Sequence, residues 1–177
     1  MATTQFLFSG FGGQGILFAG KFIAYKGLTE DKQVSWLPSY GPEMRGGTAS
    51  CSVIVSDDPV GSPIVSNPDV LVALNLPSLD RFEKDVKPGG FIFADSTLIE
   101  RKVLRDDVNV FYIPATQLAS DNGMPTLANM IVMGKMLKEL GYFDKTGIEN
   151  GLKKVISAKR ADMMDLNVKA LEIGANN

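Results

Sequence analysis

The sequence predicts an α/β protein, a twisted sheet layered between helices, and three observations carry that prediction. Apolar runs of strand length alternate with stretches of helical spacing through the first two thirds of the chain, glycine-rich turns separate several of them, and the last third has helical spacing alone. The first run, TQFLFSG, has the aromatic-rich composition of a strand. A glycine cluster follows, and ILFAGKFIAYKGL then sets Ile16, Phe18, Ala19, Phe22 and Ile23 at helical spacing, as a helix packed on a sheet requires. After Glu30 and Asp31, QVSWLPSY predicts a second strand stopped by Pro38. Beyond the polar turn GPEMRGGT, the alternating, β-branched TASCSVIVSDD predicts a third strand beside it. DVLVALN reads as a fully buried strand, SLDRFEKDV as a helix closed by KPGG, and FIFADST and VNVFYIP as two further strands. From Thr116 onward TLANMIVMGKMLKELG, TGIENGLKKVIS and DLNVKALEIG all read as helix. With no internal repeat, low-complexity tract or long linker, residues 1–177 predict one domain, a three-layer α/β/α sandwich with helices on both faces.

Composition narrows the function classes. At 177 residues and 45% hydrophobic content the chain can bury a real core. A net charge of -2 offers no positive field for a nucleic acid or an anionic membrane. The single cysteine, Cys51, excludes an internal disulfide framework, and with no histidine present a self-contained zinc or iron–sulfur site is excluded too. No apolar stretch approaches the roughly 20 residues of a membrane span, and the first residues lack the basic and apolar regions of a signal peptide, which predicts a cytoplasmic protein. Met124, Met130, Met133, Met136, Met163 and Met164 read as core filler, because thioether sulfur selects copper-type sites and no Cys or His accompanies them.

Between the first strand and the first helix, Gly10, Gly12 and Gly15 form G-x-G-x-x-G, the context that gives the sheet its Rossmann-like expectation. Glycine permits the tight turn and a close backbone approach, and the N–H groups of the helix N-terminus favour a phosphate or another anion. A dinucleotide site also needs an acid at the end of the second strand, where Leu37, Pro38 and Ser39 stand instead. Close helix–strand packing is the competing account of these glycines, although Gly13 and Gln14 make GGQG richer in glycine than packing demands. In SYGPEMRGGTAS, Arg45 sits between a proline-set turn and Gly46–Gly47, with Glu43 and Thr48 nearby. Arg45 reads either as a fork-shaped anchor for a carboxylate, a phosphate or a partner surface, or as half of a surface Arg–Glu pair on a hairpin turn. Asn75 ends the buried strand, at the sheet edge where ligands bind, and equally suits the cap of the next helix. Lys21, in the first helix, either reaches an anion at the turn or is a solvated lysine.

No histidine is available as a general base, and there is no G-x-S-x-G elbow, no Walker lysine and no cluster of carboxylates at metal spacing, so no catalytic residue is assigned.

GFGGQGILFAGKFIA, WLPSYGPEMRGGTASCSVIVSDDPVGSPIV, PDVLVALN, GGFIFADST, IPATQLA and NMIVMGKM together resemble the gamma subunit of thiamine-dependent 2-oxoacid:ferredoxin oxidoreductases, the pyruvate-oxidoreductase domain III type. The resemblance spans nearly the whole chain, and YGPEMRGG is most similar to the 2-oxoglutarate and branched-chain 2-oxoacid branches, less to pyruvate. It implies oxidative decarboxylation of a 2-oxoacid, with two electrons passed to ferredoxin or flavodoxin and the acyl group transferred to coenzyme A. It implies alpha, beta and in some members delta partner subunits, which hold the thiamine diphosphate, its Mg and the 4Fe-4S clusters. For this chain it implies a coenzyme A phosphate cradle at Gly10, Gly12, Gly13, Gln14 and Gly15 with Lys21, and no activity in isolation.

Overall fold

A computed structural model describes residues 2–39 and 48–177. In chain order the elements are β1 (Thr3–Phe11), α1 (Ile16–Thr29), β2 (Gln33–Ser39), β3 (Thr48–Ser56), β4 (Val70–Ala73), α2 (Leu76–Phe82), β5 (Phe91–Asp95), β6 (Asn109–Ile113), α3 (Ala115–Asp121), α4 (Ala128–Glu139), α5 (Lys145–Val155) and α6 (Asp162–Ala175). The strands form one mixed sheet in the order β2-β3-β1-β4-β5-β6. β1, β4, β5 and β6 are parallel to their neighbours in that series, whereas β3 runs antiparallel to both β1 and β2.

The connection length explains the mixture. Residues 40–47 are too few for the crossover of about a dozen residues that parallel strands need, so β2 and β3 pair as an antiparallel neighbour set. The expected stop at Pro38 is corrected: β2 continues through Pro38 to Ser39. As the outermost strand, β2 has one side with no ladder to serve, and proline's missing N–H is tolerated there.

Alternation along the strands divides the interior in two. Phe6, Phe8, Val70, Val72 and Phe93 join one core with Phe22, Ile131, Met133, Leu152 and Leu171, so α1 and α3–α6 share that face. Leu7, Leu71, Ala73, Ile92 and Ala94 face the other way, against Leu79 of α2, Val86 and Ile99. Helices therefore cover both faces, unequally. Met124, Met130, Met133 and Met136 are buried in the larger core.

Within that layer α4 and α6 pack backbone on backbone. A Cβ added to Gly134 would lie 2.7 Å from the Leu171 carbonyl carbon and closer still to its oxygen, and one on Gly174 would meet the Ile131 carbonyl in the same way. Only glycine at both positions allows that approach.

Candidate functional site

β1 ends at the C-terminal edge of the parallel strands, and the glycine turn there enters α1. Gly13 has φ +91° and Gly15 φ +74°, left-handed conformations that a side chain resists. Gln14 locks the turn. Its Oε1 accepts from the Phe11 N–H at 2.6 Å and its Nε2 donates to the Leu74 carbonyl at 3.1 Å, tying the ends of β1 and β4 together. Both ends of that amide are engaged with the backbone, so Gln14 acts by shaping the turn.

The glycines differ in what surrounds them. A Cβ on Gly10 would lie 2.6 Å from Gln14 Oε1 and 3.1 Å from Leu74 Cβ, and one on Gly15 would lie 3.0 Å from Asn129 Cγ. These two serve packing. Around a Cβ on Gly13 there is open space. Phe11, Gly12 and Gly13, with Ile16, Leu17 and Ala49, line a crevice of about 250 Å³. The first turn of α1 borders it, where free N–H groups and the positive helix end favour an anion. Thr48 pairs across the ladder with Phe11 and so stands at this end of β1.

Lys21 lies one turn beyond Leu17, outside the crevice lining, and extends into solvent with its Nζ 5.9 Å from the Tyr25 ring centroid. Asn75 caps α2: its Oδ1 accepts from the Ser78 N–H at 2.8 Å, and its buried Nδ2 has no partner among the described residues. Glu43, Arg45, Gly46 and Gly47 lie outside the described residues.

The strand order bears on the dinucleotide expectation. The strand after α1, β2, is at the sheet edge and separated from β1 by β3, so the usual place for a ribose-binding acid beside β1 is taken by β3. Nor does the donor set suit an iron–sulfur cluster: Cys51 is fully buried under α1, and burial pushes its thiol up to about 12. No group of three or more His, Cys, Asp or Glu side chains positioned for a metal occurs among the described residues. Among them, no helix is long and apolar enough to cross a membrane.

Sequence reasoning missed Asn129. Its Nδ2 donates to the Gly15 carbonyl at 3.1 Å, so α4 holds the exit of the glycine turn from 114 residues away.

Residues 5–177 match the sequence profile of the pyruvate ferredoxin/flavodoxin oxidoreductase family. The chain belongs to this family. Among members, it is 42% identical to the ketoisovalerate oxidoreductase subunit VorA of Methanothermobacter thermautotrophicus over 94% of its own length and 35% of that protein's. The chain thus spans about a third of the length of the VorA chains that it matches. It is 35% identical to the 2-oxoglutarate synthase subunit KorC of Methanocaldococcus jannaschii, covering 81% of this chain and 79% of the relative. The fold matches the keto/oxoacid ferredoxin oxidoreductase gamma subunit of Geobacter sulfurreducens with a TM-score of 0.82 and 29% identity, covering 98% of this chain and 96% of the other. It also matches a 2-oxoglutarate:ferredoxin oxidoreductase from Magnetococcus marinus with a TM-score of 0.85 at 23% identity, over 98% of this chain and 30% of that one. The family's domain therefore occurs both in a chain that this one covers almost fully and within longer polypeptides.

Proposed function

We propose that this chain is the gamma-type subunit of a 2-oxoacid:ferredoxin oxidoreductase and that its glycine turn cradles the phosphates of coenzyme A. Family membership supports the first part, since KorC and VorA are by name subunits of 2-oxoglutarate synthase and ketoisovalerate oxidoreductase. The second part rests on one observation: Gly12 and Gly13 border a crevice at the N-terminus of α1, and open space lies where Gly13 would carry a side chain. The Magnetococcus marinus enzyme of the same fold was solved with 2-oxoglutarate, coenzyme A and succinyl-CoA bound.

The division of labour follows from what this chain lacks. One buried cysteine and no histidine leave cluster ligation and proton transfer to partner chains of the alpha, beta and delta kinds. Those chains hold thiamine diphosphate, Mg and the 4Fe-4S clusters, ferredoxin or flavodoxin accepts the electrons, and the assembly works in the cytoplasm. The 2-oxoacid is a branched-chain acid or 2-oxoglutarate, chosen by the partner pocket around the thiamine. Lys21 adds long-range attraction for the anion, and Arg45 anchors the partner surface or an anionic group. The test is co-purification of the tagged chain from its native source. Recovery with thiamine- and cluster-bearing chains and CoA-dependent ferredoxin reduction is expected; recovery as a lone monomer that binds NAD or ATP overturns the proposal.

A further inference from the structure

A cavity of about 150 Å³ lies at the other end of β1 from the glycine turn, beside Thr4 and Phe6, and shares no lining residue with the glycine crevice. Its floor is apolar. Phe6, Ile23, Val55 and Leu137 form it, a surface and a volume that suit a guest of about benzene size. Two turns set the mouth. After α1 the Lys32 N–H donates to the Gly27 carbonyl at 3.0 Å, and after α4 the Tyr142 N–H donates to the Leu137 carbonyl at 2.7 Å, which brings Glu30, Lys32 and Tyr142 to the rim.

Lys26 is the unusual member of the lining, a lysine only 5% exposed and pressed against α5. Two glycines make room for it: a Cβ on Gly151 would lie 3.2 Å from Lys26 Cα and Cβ, and one on Gly147 would lie 3.3 Å from its Nζ. An ammonium carries three N–H donors, and among the described residues Lys26 Nζ donates to Glu30 Oε1 alone. A buried cation short of acceptors is costly unless something supplies them, and a carboxylate on a guest would. The surrounding acids limit what else that guest carries. Glu30 stands at the mouth, Asp57 pairs with Lys32, and Asp144 Oδ2 lies 2.7 Å from where a Gly147 Cβ would be. Three carboxylates around two ammoniums disfavour a guest that brings negative charge alone. Glu30, engaged with Lys26 through one oxygen, and the Tyr142 hydroxyl can instead accept from an ammonium.

We propose that this cavity binds an aliphatic α-amino acid of the size of valine or leucine. The branched side chain fills the floor, the α-carboxylate takes the open donors of Lys26, and the α-ammonium meets Glu30 and the Tyr142 hydroxyl. A head of both signs finds an opposite for each charge, and a head of one sign does not. The site holds whether or not the glycine turn cradles coenzyme A.

The test is calorimetric titration of the full chain with L-leucine, 4-methylpentanoate, isoamylamine and glycine, which in turn keep all three groups or remove the ammonium, the carboxylate or the apolar body. Leucine should bind saturably, 4-methylpentanoate and isoamylamine each about tenfold more weakly for the loss of one charge-assisted contact, and glycine should give no heat. Thr4→Leu, whose longer side chain fills the cavity from β1, should abolish leucine binding with the melting temperature kept. Lys26→Met keeps the stem beside Gly151 and removes the ammonium, so leucine should weaken about tenfold, to the level of isoamylamine. If Lys26→Met does not fold, Thr4→Leu and the analogue series decide alone. Equal affinity for leucine and either charged analogue overturns the proposal, because the site then reads one charge only. Leucine binding that survives Thr4→Leu places the amino acid elsewhere on the chain and overturns it too. The absence of saturable heat from leucine has the same consequence, whatever coenzyme A does at the turn.

Discussion

Gly13→Ala separates a ligand cradle from a packing turn, because the two readings predict different magnitudes for one methyl group. The structure leaves open space around a Cβ at this position, so the folding cost is confined to holding alanine at φ +91°. That conformation costs an L-residue about 1–2 kcal/mol, which in a chain of this size lowers the melting temperature by ~2–8 °C. The same methyl occupies the crevice that a phosphate would need to approach the backbone. Losing charge-assisted hydrogen bonds to an anion costs about 1.5–3 kcal/mol, or a rise of ~10–150-fold in KM for coenzyme A. The assay is steady-state turnover of the assembled oxidoreductase with each substrate varied in turn, beside a thermal melt of the same variant. KM for the 2-oxoacid should stay within twofold. Parallel rises in both KM values, or an unchanged KM for coenzyme A beside the expected fall in melting temperature, would refute the cradle. Gly15→Ala is the contrast: its Cβ runs into the Asn129 amide, so folding should suffer more than from Gly13→Ala.

Gly134→Ala should destabilise the chain by at least ~1–3 kcal/mol, read by urea unfolding, because α4 and α6 must separate to admit the methyl. Cys51 should resist a thiol reagent at pH 8 in the native chain and react fully once unfolded, checked by absorbance of the released chromophore. Its thiol is raised from 9.0 to about 12, so above pH 9 the unfolded thiol ionises first; stability should fall as pH rises from 9 towards 12, and Cys51→Ala should flatten that fall. The isolated chain should show no viologen reduction with thiamine diphosphate and a 2-oxoacid, and no cluster absorbance, measured spectrophotometrically.

Local pattern carried the layer architecture. Phe6 and Phe8 on one face with Leu7 on the other follow directly from alternation, and the helical final third follows from its spacing. Pro38 was misleading because whether a proline breaks a strand depends on whether that strand is at the edge, a property of the whole sheet. In the glycine turn the pattern was legible but the division of roles was not. Gly10 and Gly15 are constrained by Leu74 and Asn129, residues remote in sequence, while Gly13 faces open space. The Asn129 and Asn167 oxygens are hidden for the same reason: an asparagine in a helix looks ordinary until its neighbours among the described residues prove to offer it no donor.

The backbone contact between α4 and α6 reaches further than stability. Where two helices touch through Gly134 and Gly174, no side chain lies between them to change rotamer and absorb a displacement, so the pair behaves as a single stiff lever. Asn129 rides on one arm, and Asn167, one turn before Leu171, on the other. The gap between their amides is therefore gauged by the two missing methyl groups. One Cβ at Gly134 or Gly174 would pry the arms apart and shift Asn129, which holds the exit of the glycine turn.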